Sequence, residues 1–188
     1  MPDQACVPPS PPSLPSPLLY INPLSRAAFV AYGDVLGGDH TGVAGSLINA
    51  GTTQKFTAQA PNLTGAGGVP SLHLYRSKAQ SMPLEIEVLE CHQFGSQTFV
   101  PLGGSPFIVV VAQSQANAQA NTQAPDLQTL SAFWVDGQHA VTLNAGTWHH
   151  SLIALHDSDF VVLERAGPSV DCLLHRLDQP LTLKTRSL

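Results

Sequence analysis

Beyond Leu18 the chain is a succession of short apolar runs separated by Gly, Pro, Asn and Asp. That pattern predicts many brief strands and little helix. One helix is expected over residues 26–32, with Ser25 as its N-cap, Gly33 at its stop position, and Leu24 and Phe29 spaced as a hydrophobic staple. Strands are expected near residue 35 and over 47–49, 54–56, 72–76, 85–92, 97–100, 107–112, 132–135, 140–143, 148–155, 160–164 and 173–177. Strands this short and this evenly spaced predict an all-β sandwich or barrel with one short N-terminal helix.

The flanks and loops have a different composition. Residues 8–17 read Pro-Pro-Ser-Pro-Pro-Ser-Leu-Pro-Ser-Pro, which favours extended polyproline geometry and cannot supply a core strand. Residues 1–17 are therefore expected to be a disordered leader, with an SH3-type ligand as the other reading, and residues 18–188 a single domain. A Gln/Ala/Asn-rich stretch at 113–129 lacks apolar periodicity and reads as a surface loop, and the Gly-containing stretch at 57–70 as a second.

Alternation then picks out chemistry. In a strand over 85–92, Ile86, Val88, Glu90 and His92 share one face and Glu85, Glu87, Leu89 and Cys91 the other. With two β-branched apolar residues, the first face is expected to point inward, carrying a carboxylate and an imidazole with it. An ionised carboxylate is costly to bury unless it is paired or bound to a cation. In the segment Gly146-Thr147-Trp148-His149-His150 the same rule separates the two histidines, and only a bulge would bring both to one side. Arg76 shares a face with Leu72 and Leu74 and is expected to be partly enclosed, with His73 and Tyr75 opposite in a structural role. Trp148 is expected in the core or a subunit contact, and Cys91 and Cys172 as buried or neutral thiols. His40, His139, His156 and His175 lie near loop signals and read as solvent histidines.

Composition narrows the function. Charged residues make up 11% of the 188, the formal charge is -5, and no Lys/Arg cluster occurs, which argues against a nucleic-acid partner. The three cysteines, Cys6, Cys91 and Cys172, form no metal or redox motif. No apolar run approaches a membrane span and the N-terminus lacks a secretory pattern, so a soluble cytoplasmic protein is expected.

Two spacings carry a resemblance. Glu90-x-His92-x4-Gln97-x6-Gly104 has the layout of the first cupin motif, H-x-H-x(3,4)-E-x(6)-G, with Glu for the first His and Gln for the Glu. Asn144-x-Gly146-x-x-His149 has the layout of the second, P-x-G-x-x-H, with Asn for Pro, about forty residues further on. Together with Pro23-Leu24-Ser25, Ile48-Asn49-Ala50-Gly51, Leu89-Glu90-Cys91-His92, Gly146-Thr147-Trp148-His149-His150 and Glu164-Arg165-Ala166-Gly167, these segments resemble the ureidoglycolate lyases of allantoin catabolism, from about Leu18 to about Cys172. The chain departs from that family in having Ser151 where a proline commonly follows the paired histidines, and Lys55 where an Arg is common.

The resemblance implies a cupin-type jelly-roll β-barrel, a homodimer, and a carbon–nitrogen lyase that eliminates urea from ureidoglycolate to leave glyoxylate. It places Glu90, His92, Gln97 and His149 at one site, either as ligands to a divalent metal or as groups acting directly on the substrate. His and carboxylate donors suit Zn, Ni, Mn or Fe without choosing among them. Arg76, Lys55 and Arg165 are the candidates for the substrate carboxylate, and His150 is a neighbour of the site. Two other readings stand beside this one: another metal-dependent cupin enzyme acting on a small acid, and a non-catalytic cupin that binds a small carboxylate.

Overall fold

The computed structural model describes residues 15–37, 45–57, 60–116 and 123–186. The first strands are β1 (Leu18–Pro23), β2 (Gly33–Gly37), β3 (Ser46–Ile48), β4 (Thr53–Lys55), β5 (Val69–Ser77), β6 (Leu84–His92) and β7 (Gln97–Pro101). They are followed by β8 (Phe107–Ala112), β9 (Ser131–Val135), β10 (His139–Leu143), β11 (Trp148–His149), β12 (Ile153–Ala154), β13 (Ser158–Ala166) and β14 (Cys172–Lys184). The fold is all-β and cupin-like, with one short helix, α1 (Arg26–Phe29). His40, residues 1–14 of the expected leader and 117–122 of the expected loop lie outside the described residues. The base of that loop is closed by hydrogen bonds from Gln115 N to Ala124 O and from Asp126 N to Gln113 O.

The larger sheet runs β11-β6-β14-β1-β9-β8-β12, and β11 also pairs with β8, so six of its strands close into a ring. Inside the ring lie Ile21, Ile86, Leu89, Cys91, Ile108, Val110, Trp148 and Leu183. The second sheet, β2-β10-β7-β13-β5, covers one side of the ring. Between the sheets sits another core, with Phe29, Val35, Phe99, Phe107, Val109, Phe133, Val141, Phe160 and Val162. β8 separates the two cores, so all six of its residues are buried, and its sequence is a continuous apolar run without alternation.

Several local expectations change. The helix has four residues, not seven, although Ser25 caps it by accepting from Ala28 N and Leu24 packs on the core beside Phe29. Gly33 starts β2 where it was expected to stop the helix, and a Cβ there would meet Thr142 O of β10 at 1.8 Å, so close backbone approach requires the glycine. β1 was not foreseen; it pairs in parallel with both β9 and β14. The expected strand over 148–155 is broken into β11 and β12, which follow each other along β8. Trp148 and Ile153, an odd number of residues apart, enter the same core, so the break shifts the side-chain phase by one.

A similar shift occurs in β6. Its pairing with β14 is regular from Cys172↔His92 to Arg176↔Val88 and resumes at Leu181↔Ile86 after the irregularity around Pro180. Ile86 consequently joins Leu89 and Cys91 inside the ring, away from the Glu90 face, contrary to the expectation that it would share it.

Arg165 fastens the loop preceding β5. Its buried guanidinium donates to Gly65 O and, at 3.1 Å, to Ala66 O, lies 3.5 Å from Asp171 and stacks 5.5 Å from the Phe94 ring centre. Removing one partner of a buried, hydrogen-bonded ion pair leaves the rest uncompensated. Arg165→Met is expected to cost about 3 kcal/mol, read as a lowered midpoint in urea unfolding; an unchanged midpoint would contradict this role.

Candidate active site

The site forms where the ring meets the second sheet. β6 and β11 are antiparallel neighbours, with Trp148 opposite Cys91 and His149 opposite Glu90. Trp148 and Cys91 therefore enter the ring core together, and His149 and Glu90 leave it on the other side. Gly146, at φ +84°, turns the chain into β11, and its N–H donates to His92 O at 2.8 Å. Thr147 Oγ1 donates to Tyr32 O at 2.8 Å, holding the turn against the segment that leads into β2.

Glu90, His92 and His149 each bring a donor atom within 4.8 Å of the others, the only such cluster of three among the described residues. His149 is 2% exposed. Its Nδ1 lies 3.1 Å from Thr147 O, a group that can only accept, so Nδ1 carries a proton. Nε2 then faces Glu90 Oε1 at 3.5 Å, too far for an ordinary hydrogen bond, and is otherwise without a partner. The His149 imidazole beside it, helped by His92 and His150, holds the Glu90 carboxyl below its usual range against the opposing effect of burial. Burial lowers the affinity of His92 and of His150 for a proton. Neutral imidazoles and an ionised carboxylate are the protonation states that bind a divalent cation. The orphaned Nε2 of His149, aimed at that carboxylate, fits such an ion.

The opposite wall comes from β5, β7 and β13. Gln97 is buried; its Nε2 donates to Glu164 Oε2 at 2.6 Å and its Oε1 is left without a partner. Tyr75 Oη donates to Glu164 Oε1 at 3.4 Å, and burial followed by the Glu164 carboxylate raises the phenol's pKa, keeping it a donor. His73 Nε2 lies 3.3 Å from Glu164 Oε1 and 2.8 Å from Ser71 Oγ. A cavity of about 350 Å³ opens along this wall, lined by His73, His92, Ser96, Glu164, Asp171 and Cys172 among others. Cys172 Sγ lies 3.8 Å from Glu90 Oε2, and burial raises its thiol, as it raises that of Cys91, to about 12 for Cys91.

Glu90, His92 and His149 thus come together as expected, with Gln97 on the facing wall. His150 lies beside the site, with Nδ1 against Ser151 O at 2.8 Å. Arg76 does not reach the site. It lies on the outer face of β5 with Leu72 and Leu74, which are 69% and 60% exposed, and it pairs with Asp159 at 2.9 and 3.1 Å. The register with β13 puts His73 opposite Val162 and Tyr75 opposite Phe160, so the inner face of β5 is the one expected to be merely structural. Arg165 is committed to the loop and to Asp171, and Lys55 lies exposed on β4. Glu164, Tyr75 and His73 were missed as site residues. Alternation from Phe160 and Val162 would have pointed Glu164 inward, whereas the apolarity of Leu72 and Leu74 pointed the wrong way for β5.

Comparisons with known proteins agree with this arrangement. A family model described as Ureidoglycolate lyase matches residues 16–184. The chain is 38% identical over 172 residues to a protein named ureidoglycolate lyase from Burkholderia mallei (strain NCTC 10229), covering 90% of this chain and 95% of that one. It is 36% identical over 151 residues to a namesake from Rhizobium etli (strain CFN 42), covering 79% and 85%. For a third, from Azotobacter vinelandii, the identity is 37% over 163 residues, covering 84% and 91%. By sequence, architecture and extent of match, the chain belongs to the ureidoglycolate lyase family.

Proposed function

We propose that this protein is a ureidoglycolate lyase, splitting ureidoglycolate into glyoxylate and urea in allantoin degradation. The observation that carries the reading is one cavity lined by both His92, of the Glu90–His92–His149 cluster, and Glu164, in a chain of this family. The substrate bears a hydroxyl and a ureido nitrogen on one carbon, next to a carboxylate. In the elimination the hydroxyl loses its proton, its oxygen–carbon bond becomes the glyoxylate carbonyl, and the carbon–nitrogen bond breaks. The departing nitrogen keeps the electron pair and takes up a proton, which completes urea.

Glu90, ionised beside His149, is placed to accept the hydroxyl proton. Glu164 presents its carboxylate toward the ureido N–H groups, fixed there by Gln97 and Tyr75, and His73 is within reach of the same carboxylate to deliver the proton that nitrogen needs. Glu90, His92 and His149 would hold a divalent ion (Ni, Mn, Zn or Fe), with the Gln97 amide oxygen as the nearby neutral donor; when bound it supplies Lewis-acid charge to the oxygens of a 2-hydroxy acid. We place the protein in the cytoplasm as a homodimer; among the described residues no helix is long and apolar enough to cross a membrane.

Incubation with racemic ureidoglycolate is expected to give glyoxylate and urea in equal amounts faster than the spontaneous breakdown, with loss of rate on chelation and recovery on adding back one divalent metal. No acceleration under any metal condition would remove the enzyme assignment, and ammonia in place of urea would redirect it to hydrolysis. His149→Ala is expected to lower kcat by roughly 100-fold or more, the scale of a lost acid–base or electrostatic group. His150→Ala, whose ring is turned to Ser151 O, is expected to lose less than about 10-fold; steady-state kinetics giving the reverse order would contradict the placement of the two rings.

A further inference from the structure

Beyond the ion that the Glu90 cluster would hold, the substrate carboxylate calls for a cationic side chain, and among the described residues of one chain the site has none that is uncommitted. Among the described residues Arg26, Arg76, Lys78, Arg165 and Arg176 are in ion pairs with Asp34, Asp159, Asp157, Asp171 and Glu87, and Arg186 stacks on Tyr20. Lys184 lies at the opposite end of β14 from Cys172, the residue beside Glu90. Lys55 remains, exposed and with no ion-pair partner among the described residues. Its location is unusual. β3 and β4 pair only with each other, every residue from Ser46 to Lys55 is exposed, and Leu47 and Ile48 are 70% and 39% exposed. A two-stranded hairpin with apolar side chains in water is marginal by itself. It contains no acidic residue.

The hairpin also leaves the body at the end of the second sheet opposite its own site. Phe56, just after Lys55, shares a cavity with Leu36, Gly37, Pro101 and His139. Gly37 and His139 pair at one end of the β2–β10 ladder, whereas Gln97 pairs with Leu143 at the other end of β10. Pro101 likewise stands at the far end of β7 from Gln97.

We propose that the β3–β4 hairpin of one copy of this chain docks on a second copy and delivers Lys55 to that copy's active site, where it binds the substrate carboxylate. The receiving surface is β5, the edge strand of the second sheet, with His73 and Tyr75 on its inner face and the exposed Leu72 and Leu74 on its outer face. Alternation puts Leu47 on one face of the hairpin, to meet the outer leucines, and Ile48 with Lys55 on the other, toward the inner face. Charge is complementary: Glu164 lines the receiving cavity, Glu90 lies 3.8 Å behind its Cys172, and the hairpin presents an ammonium. A two-fold dimer exchanges two such hairpins and completes both sites. The inference takes the substrate anion from the lyase reading; the docking itself stands on the hairpin.

In light scattering the wild type is expected at twice the chain mass and Leu47→Asp at the single mass; a monomeric wild type overturns the proposal. Lys55→Ala is expected to lower kcat/KM roughly 10- to 100-fold, the worth of one charge-assisted contact; no loss overturns it. The decisive arm mixes Lys55→Ala and Glu90→Gln chains carrying different tags. The doubly purified heterodimer regains about half the wild-type activity if Lys55 acts across the interface, because one site is then whole, whereas activity no higher than the two parents means Lys55 serves its own chain. Carbodiimide crosslinking of refolded 14N and 15N chains needs no turnover. Mixed-isotope peptides joining Lys55 to a site carboxylate support the docking even if ureidoglycolate is not split; crosslinks confined to one isotope overturn it.

Discussion

An imidazole nitrogen that faces an ionised carboxylate in a buried site calls for positive charge between them, as a ring proton or a bound cation. His149 and Glu90 stand in that relation, because Nδ1 donates to Thr147 O and Nε2 is directed at Glu90 Oε1. The rest of the structure can be understood as what holds the two groups there. Their strands pair so that Trp148 and Cys91, their immediate neighbours, are drawn into the ring core while the polar pair is forced out of it. Hydrophobic burial of one face thereby supports the cost of crowding acceptors on the other.

The two cores divide the work. The ring gives β6 and β11 a closed, edge-free scaffold on which Glu90, His92 and His149 are fixed. The second sheet supplies the facing wall, with Glu164 held by Gln97 from the neighbouring strand β7. Catalytic geometry tolerates little slack, and side chains on paired strands have less of it than side chains on loops. By contrast β5 is exposed on both faces and bonded along one edge only, which makes it the least finished part of the site in a single chain.

Much of this was legible in the residues. The all-β class, most strands, the Ser25 cap and the shared face of Glu90 and His92 follow from punctuation and a period of two. What was not legible depends on long-range pairing. The phase shifts in β6 and after β11 arise from ladder irregularities that no local pattern reports, so Ile86 was assigned to the wrong face even though Glu90 and His92 were not. On β5 the rule that apolar residues face inward failed: Leu72 and Leu74 point outward, and the polar His73 and Tyr75 line the site. Arg165 looked like a substrate ligand from its family-like setting, but each of its three nitrogens already donates, to Gly65 O, Asp171 and Ala66 O.

The central claim is that Glu90, His92 and His149 form one cation-binding centre that faces Glu164 across the substrate cavity. A crystal structure of the protein grown with a divalent cation and glyoxylate tests it most directly. The account predicts the ion on Glu90, His92 and His149 and glyoxylate between it and the Glu164 wall. An ion held elsewhere, or glyoxylate bound away from these residues, would contradict it.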